Sequence, residues 1–348
     1  LQPDPHRAIT DPALYEGRSR ADLDLVDASL PDLTRRERIA WCEAMCEAAS
    51  ADDRVVSATT TVQDDHGLVA KASTNGFAGT EESTSVAYGT MVTLREGETK
   101  RPEAAWFVAG THQQGLPAPD AVGREALKRA VDRLGSTRGD SARTTMIVHP
   151  EAGAMLLGRM LGALMAGPIQ QDQSFLKGKQ GSSIAAEVLN VTDDPLLPRA
   201  LGSRTFDREG IAAKPLTLIE NGVLKNHYVD TYYGRKLGWA ATTGSPSNVV
   251  IRPGDKDLEG LAAAAGEAIL VTSWLGGNAN MTTGDYSFGV RGHVVKDGKI
   301  GAPISEMNVT GSYGDLMQRL VEVGNDPVPW YTVRVPTLVF EDIQFSGN

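Results

Sequence analysis

The sequence predicts an α+β fold. Strand-like alternation and helix-like periodicity follow one another without a regular βαβ rhythm, which disfavours a doubly wound parallel sheet. Asn221-Gly222 and Asp297-Gly298 stand between apolar runs, as two-residue hairpin turns do. Only 11 of the 37 glycines precede residue 141, so turns and close backbone approaches concentrate in the second part. A length of 348 residues suggests about two domains, and the polar, Gly-containing Ser136–Ala142 is the natural boundary.

Taken in order, residues 1–33 are rich in Pro and Asp and are expected to lie extended over a surface. Thr34 with Glu37 has the capping-box pattern and opens a helix over 34–49. Ile39, Cys42, Cys46 and Ala49 repeat at helical spacing, which reads both cysteines as small core residues. Strands are predicted at Val55–Val62, Leu68–Ser73, Ser83–Leu94 and Ala104–Gly110, with a turn at Asp64-Asp65-His66-Gly67. Asp120–Leu134 is a helix stopped by Gly135.

Beyond the boundary come a strand at Thr144–Val148 and a helix at Glu151–Ala166 with Pro150 just ahead of it. Leu216–Glu220 and Val223–Val229 flank the first hairpin turn; Gly289–Val295 and Lys299–Pro303 flank the second. Leu258–Ala268 and Gly314–Val323 read as helices, and Val333–Phe340 as a late strand. The most apolar stretch, Ala154–Ala166, is too short to cross a membrane and carries Arg159 at its centre, so it reads as a buried helix.

Charge excludes one class of partner. A formal net charge of −10 with no Lys/Arg cluster leaves no footprint for nucleic acid. Two cysteines are not a disulfide framework, and a reducing cytoplasm suits them. The opening LQPDPHR has neither a basic nor an apolar leader pattern.

Chemistry is sparse when read from spacing. None of the six histidines has another His or Cys within five residues, so spacing implies no metal site. There is no G-x-S-x-G elbow, dinucleotide fingerprint or Walker A lysine. Asp193-Asp194-Pro195 reads as a turn. Two polar constellations remain, DQSFLKGKQG at 172–181 and NANMTTGDYS at 278–287. Loops of this composition either hydrogen-bond an extended peptide or cap their own turns, and turn chemistry is the commoner use.

In this order, those constellations resemble the TldD/PmbA (TldD/TldE, "modulator of DNA gyrase") peptidases. The matching segments are SFLKGKQG at 174–181, VTDDP at 191–195, FDREG at 206–210 and LIENGVLKNHYVDTYYGRKLG at 218–238. They continue with GNANMTTGDYSFGVRGHVVKDGKI at 277–300, EMNVTGSYGDLMQRLVEVGND at 306–326 and the final VPTLVFEDIQFSG. STNGFAGTEESTS at 73–85 is similar to the family's N-terminal domain. The resemblance covers nearly the whole chain. It implies an N-terminal mixed sheet with helices over 1–140, incomplete at its start, and a mostly antiparallel sheet assembly over 141–348.

The resemblance also implies a subunit type. The TldD kind holds zinc with a helical H-E-x-x-x-H motif and a later Cys; the TldE/PmbA kind lacks them. Here the motif falls on Gly158–Ala163, so Gly158 and Ala163 stand at the imidazole positions and Arg159 at the carboxylate position. No Cys occurs in the Pro327–Thr332 segment that replaces the Cys-bearing one. Glycine and alanine carry no ligand atom, and a guanidinium has no free lone pair.

The chain is thus expected to be a non-catalytic TldE/PmbA-like subunit, with no catalytic or metal residues of its own and zinc in a TldD-like partner. The heterodimer would trim or degrade unfolded or modified peptides in the cytoplasm, with no membrane or nucleic-acid partner. Asn280, Asp285 and Ser287 are the expected peptide-channel residues, with Arg159 lining the channel or pairing with an acid. Gly158, Gly162 and Ala166 give one face of small residues, where the helix is expected to be packed shut. The alternatives are a metal-free homodimeric peptide-binding protein, or an independent peptidase using His149, His227 and His293.

Overall fold

The computed structural model describes residues 3–348 and has the expected α+β architecture. The N-terminal part runs through α1 (Arg35–Ala49), β1 (Val55–Ala72), β2 (Ala78–Leu94), β3 (Glu103–Gly110) and α2 (Pro119–Val131). The strands form one sheet in the order β1-β2-β3, antiparallel throughout where a mixed sheet was expected. Helices α1 and α2 cover one face around Met45, Tyr88, Val108 and Val122.

Two expectations fail here for identifiable reasons. The Asp64–Gly67 turn does not form, because pairing runs unbroken from Asp64 opposite Val86 to Gly67 opposite Ser83. Its polar residues serve other ends: Asp64 binds the Arg38 guanidinium and His66 meets Glu82 across the strands at 2.7 Å. The chain reverses instead at residues 73–77, where the Ser73 N–H donates to the Phe77 carbonyl. The cysteines also divide: Cys42 is half-buried and packs against the core, whereas Cys46 is exposed and is not a core residue. Trp41 packs on Tyr88 with ring centroids 5.5 Å apart, and this bulk turns Met45 and Ala49 inward and Cys46 out. The capping box forms as predicted, with Thr34 and Glu37 bonded both ways.

The C-terminal part contains β4 (Thr137–Arg138), β5 (Ala142–Val148), α3 (Pro150–Ala163), α4 (Ala166–Gln170), β6 (Val191–Asp193), β7 (Leu216–Glu220) and β8 (Val223–Leu224). It continues with α5 (Thr231–Leu237), β9 (Val249–Ile251), α6 (Leu258–Ala265), β10 (Ala268–Ala279), β11 (Asp285–Lys296), β12 (Lys299–Ser312), α7 (Tyr313–Gln318), β13 (Leu320–Val323), β14 (Val333–Arg334) and β15 (Leu338–Ser346).

The larger sheet orders as β13-β15-β5-β10-β11-β12-β4, and β12 also pairs with β15. That last pairing closes β15, β5, β10, β11 and β12 into a ring, which leaves few free edges. Only β5–β10 and β12–β4 are parallel. A second sheet orders as β14-β9-β6-β7-β8. The main core lies between the ring, α3 and this second sheet, around Leu156, Met160, Leu218, Tyr228, Phe288 and Phe340.

Both hairpin turns form, with positive φ at Asn221-Gly222 and at Asp297-Gly298. The helix predicted over Gly314–Val323 stops at Gln318, and Leu320–Val323 pairs with β15 instead. The predicted late strand divides at residues 335–337 into β14 and β15. Helix α3 ends at Ala163 because the chain turns to bridge Tyr228: the Tyr228 N–H donates to the Leu164 carbonyl and the Ala166 N–H to the Tyr228 carbonyl. The leading segment is extended only in part. Residues 1–2 lie outside the described residues, and short 3-10 helices at Pro12–Tyr15 and Leu30–Asp32 interrupt the rest. Its start is gripped by Arg235, which donates to the carbonyls of His6, Ala8 and Ile9.

Candidate functional site

Helix α3 organises the corner to which the sequence points. His149 caps it, its Nδ1 accepting from the Glu151 N–H at 3.3 Å. Burial depresses the His149 pKa, with the neighbouring Arg129 adding to the effect, so the ring is neutral and free to accept. The inner face of α3 is apolar and buried through Ala152, Leu156 and Met160. Trp274 on β10 donates its indole N–H to the Ala152 carbonyl at 2.9 Å, and the Tyr313 hydroxyl donates to the Leu156 carbonyl.

The outer face of α3 corrects one expectation. Gly158 and Gly162 are exposed beside Met155, and a Cβ added at either glycine would meet nothing within 4 Å. The small face is open rather than packed shut. Ala166 lies beyond the helix end and is buried. Arg159 is half-buried and holds its guanidinium 4.7 Å above the Phe288 ring, a cation–π contact. Among the described residues it has no carboxylate at ion-pair distance.

The two polar constellations come together against this helix. Ser174 donates its hydroxyl to the Ala163 carbonyl at 2.6 Å, closing the end of α3. The Phe175 N–H donates to the Met281 carbonyl at 2.8 Å, tying segment 172–181 to segment 278–287. The Phe175 ring stacks on Tyr313, which meets Tyr286 edge-on, and Tyr286 stacks on Phe288. Burial pushes the Tyr286 phenol up to about 12, so it is a neutral hydroxyl at physiological pH.

The four expected channel residues separate into two groups. Asn280, Asp285 and Ser287 are all exposed at the far end of β10–β11. Asn280 already accepts from the Thr282 N–H through its side chain, and Asp285 accepts from the Thr283 hydroxyl at 2.6 Å. Ser287 sits opposite Asn278 in the ladder. Arg159 belongs to the other face of β11, because Phe288 points inward where Asp285 and Ser287 point outward. Beside them, β10 pairs with β5 only over Ala268–Val271, so beyond Ser273 it has β11 on one side alone.

The residues at the implied metal positions do not fit zinc. Gly158 and Ala163 offer no ligand atom, and Arg159 is a cation. Among the described residues, no three His, Cys, Asp or Glu side chains group closely enough to hold a metal. His149 caps α3, His227 stacks on Trp239 with ring centroids 5.3 Å apart, and His293 lies by the Gly301 carbonyl.

A second feature had no sequence signal. Arg129 on α2 bonds both Glu125 on its own helix and Glu151 on α3, at 2.8 Å each, and lies 5.3 Å over Trp106. This joins the N-terminal helix layer to α3. It also borders a cleft of ≈ 940 Å³ between the two parts of the chain, lined by α2, β10, β11 and β12.

Comparison with known proteins places this arrangement among two-part α+β proteins of metallopeptidase type. Residues 28–134 match the family model described as the PmbA/TldA metallopeptidase central domain, and residues 141–347 match the corresponding C-terminal domain. The chain belongs to the PmbA/TldD metallopeptidase family. A solved structure from Bacteroides thetaiotaomicron VPI-5482, provisionally labelled a modulator of DNA gyrase, is 37% identical with a TM-score of 0.96, covering all of this chain and 80% of that one. TldE from Thermococcus kodakarensis has the same fold, with a TM-score of 0.84, 20% identity, and coverage of 100% of this chain and 81% of that one.

Curated relatives are more distant. The metalloprotease PmbA homolog of Haemophilus influenzae is 25% identical over 331 residues, covering 94% of this chain and 73% of its own length. Metalloprotease PmbA of Escherichia coli O157:H7 is 26% identical over 285 residues, covering 81% of this chain and 61% of its own length. No helix among the described residues is long and apolar enough to cross a membrane.

Proposed function

We propose that this chain is the non-catalytic, TldE/PmbA-like subunit of a heterodimeric zinc metallopeptidase that trims or degrades unfolded or modified peptides in the cytoplasm. One observation carries the reading: α3 presents Gly158, Arg159 and Ala163 where a zinc helix needs two imidazoles and a carboxylate. Zinc and the cleavage step would belong to a TldD-like partner. The open Gly158–Gly162 face supports a role in contact, since it leaves room for another backbone to approach α3. The one-sided stretch of β10 beyond Ser273 supports the docking of an extended peptide by strand addition, with Asn280, Asp285 and Ser287 beside it.

Elemental analysis of the chain purified alone, without chelators, tests the reading. The expected value is near zero zinc per chain, with peptidase activity only after a TldD-like subunit is added. Zinc near one per chain, lost on replacing His149, His227 or His293, would overturn it. A zinc-free chain that binds peptide as a stable homodimer and ignores any TldD-like subunit would favour the metal-free peptide-binding protein instead.

A further inference from the structure

The cleft between the two parts of the chain carries a charge arrangement that peptide docking at α3 does not use. None of its lining residues comes from segments 172–181 or 278–287. Some of its cations are already satisfied: Arg129 by Glu125 and Glu151, Lys100 by Glu96, Lys128 by Asp132. Arg133, just past α2, and Arg291, on β11, both line the cleft, and neither makes an ion pair among the described residues. The Arg133 guanidinium donates to the neutral carbonyl of Glu103.

Arg133 feels the charge of Arg291. Burial, then repulsion from Arg291 and Arg129, pushes the Arg133 pKa down to about 10, and Glu103 and Glu151 offset only part of this. Glu259 and Glu306 line the cleft as well but bond neither arginine. Native structures rarely leave like charges uncompensated, and a planar guanidinium is matched best by an oxyanion.

We propose that this cleft is an oxyanion site, in which Arg133 and Arg291 together hold one carboxylate or phosphate group of a small organic ligand. A cleft of ≈ 940 Å³ is far larger than an inorganic ion and accommodates the organic remainder of such a ligand. Arg291 supplies the second charge without competing bonds, since no hydrogen bond within the chain takes its side chain among the described residues. The cleft shares Ser273 and Leu275 with the β10 edge proposed for the peptide. Its charge recognition rests instead on Arg133 and Arg291, which the peptide reading does not use, and small-anion titration reads it without any peptide.

Isothermal titration of the purified chain with inorganic phosphate and, separately, with succinate tests the proposal, with sodium chloride at matched ionic strength as the control. Saturable binding of at least one probe is expected, weakened about tenfold or more in Arg291→Gln, whose unfolding midpoint should stay near the wild type. Arg133→Gln is the second variant and should weaken the same probe. Phosphate alone binding identifies a phosphorylated ligand; succinate alone identifies a carboxylate. No saturation by either probe at millimolar concentration, or binding unchanged in both variants, would overturn the site.

Discussion

Phe175 donates its backbone N–H to the carbonyl of Met281 across 2.8 Å, and this one bond joins two loops more than a hundred residues apart in sequence. The Phe175 ring completes the joint by stacking on Tyr313 and closing over Gly284. Phe175→Ala removes the ring and leaves the backbone bond without cover. The expected loss, for a half-buried ring, is about 2 kcal/mol of stability by urea unfolding. Amide exchange at residues 281–284 should quicken in parallel. An unchanged urea midpoint would mean that Tyr313 and the β10–β11 ladder hold the corner without Phe175.

Two glycines should respond oppositely to alanine. Gly158 lies inside α3 with open space where a Cβ would go, so Gly158→Ala should raise stability by about 0.5–1 kcal/mol through helix propensity. Gly292 on β11 has the Leu270 carbonyl where its Cβ would sit, so Gly292→Ala should lower stability by about 2–3 kcal/mol. Thermal unfolding of the two variants reads both signs. Under the subunit proposal, Gly158→Ala should also weaken partner or peptide binding, so a more stable chain would be a poorer binder.

His149 should shape the acid limb of the stability curve. Its pKa is lowered below the ordinary 6.5 by burial, while in the unfolded chain it returns to that value. Between the depressed value and 6.5 the unfolded state binds the extra proton, so stability falls as pH falls through this window. Protonation at Nδ1 would also remove the acceptor that caps the Glu151 N–H. His149→Asn keeps a capping side chain and cannot titrate. Urea unfolding from pH 7.5 to 5 should therefore show a shallower slope for the variant, by up to one proton; an identical slope would assign the acid limb elsewhere, such as buried His227.

Much of the fold was legible because it is locally encoded. The capping box at Thr34 and Glu37, the two positive-φ hairpin turns and the Pro150 entry to α3 each depend on a few neighbouring residues. The failures share a different cause. Asp64–Gly67 has turn composition, yet its residues lie in a strand because β2 pairs with every one of them. Leu316, Met317, Leu320 and Val323 fit a helical stripe, yet the last two are held in a strand by β15. Cys46 shares helical spacing with Ile39, Cys42 and Ala49 but is turned outward because Tyr88 of β2 takes Trp41, and with it Met45, as the buried side of α1. In each case a distant partner outweighed a local preference.

The same division runs through the sites. The sequence by itself determined that Gly158, Arg159 and Ala163 offer no zinc-binding atom, whatever their surroundings. It also singled out segments 172–181 and 278–287, whose composition is a local property. Only the tertiary structure decided that those segments bond to each other, and that Arg159 faces Phe288 while Ser287 faces outward. It alone brought Arg133 and Arg291, more than 150 residues apart, into one cleft. Ligand atoms are a property of residue type, but the field around a charge depends on which charges the folded chain brings near it, and no local pattern records that.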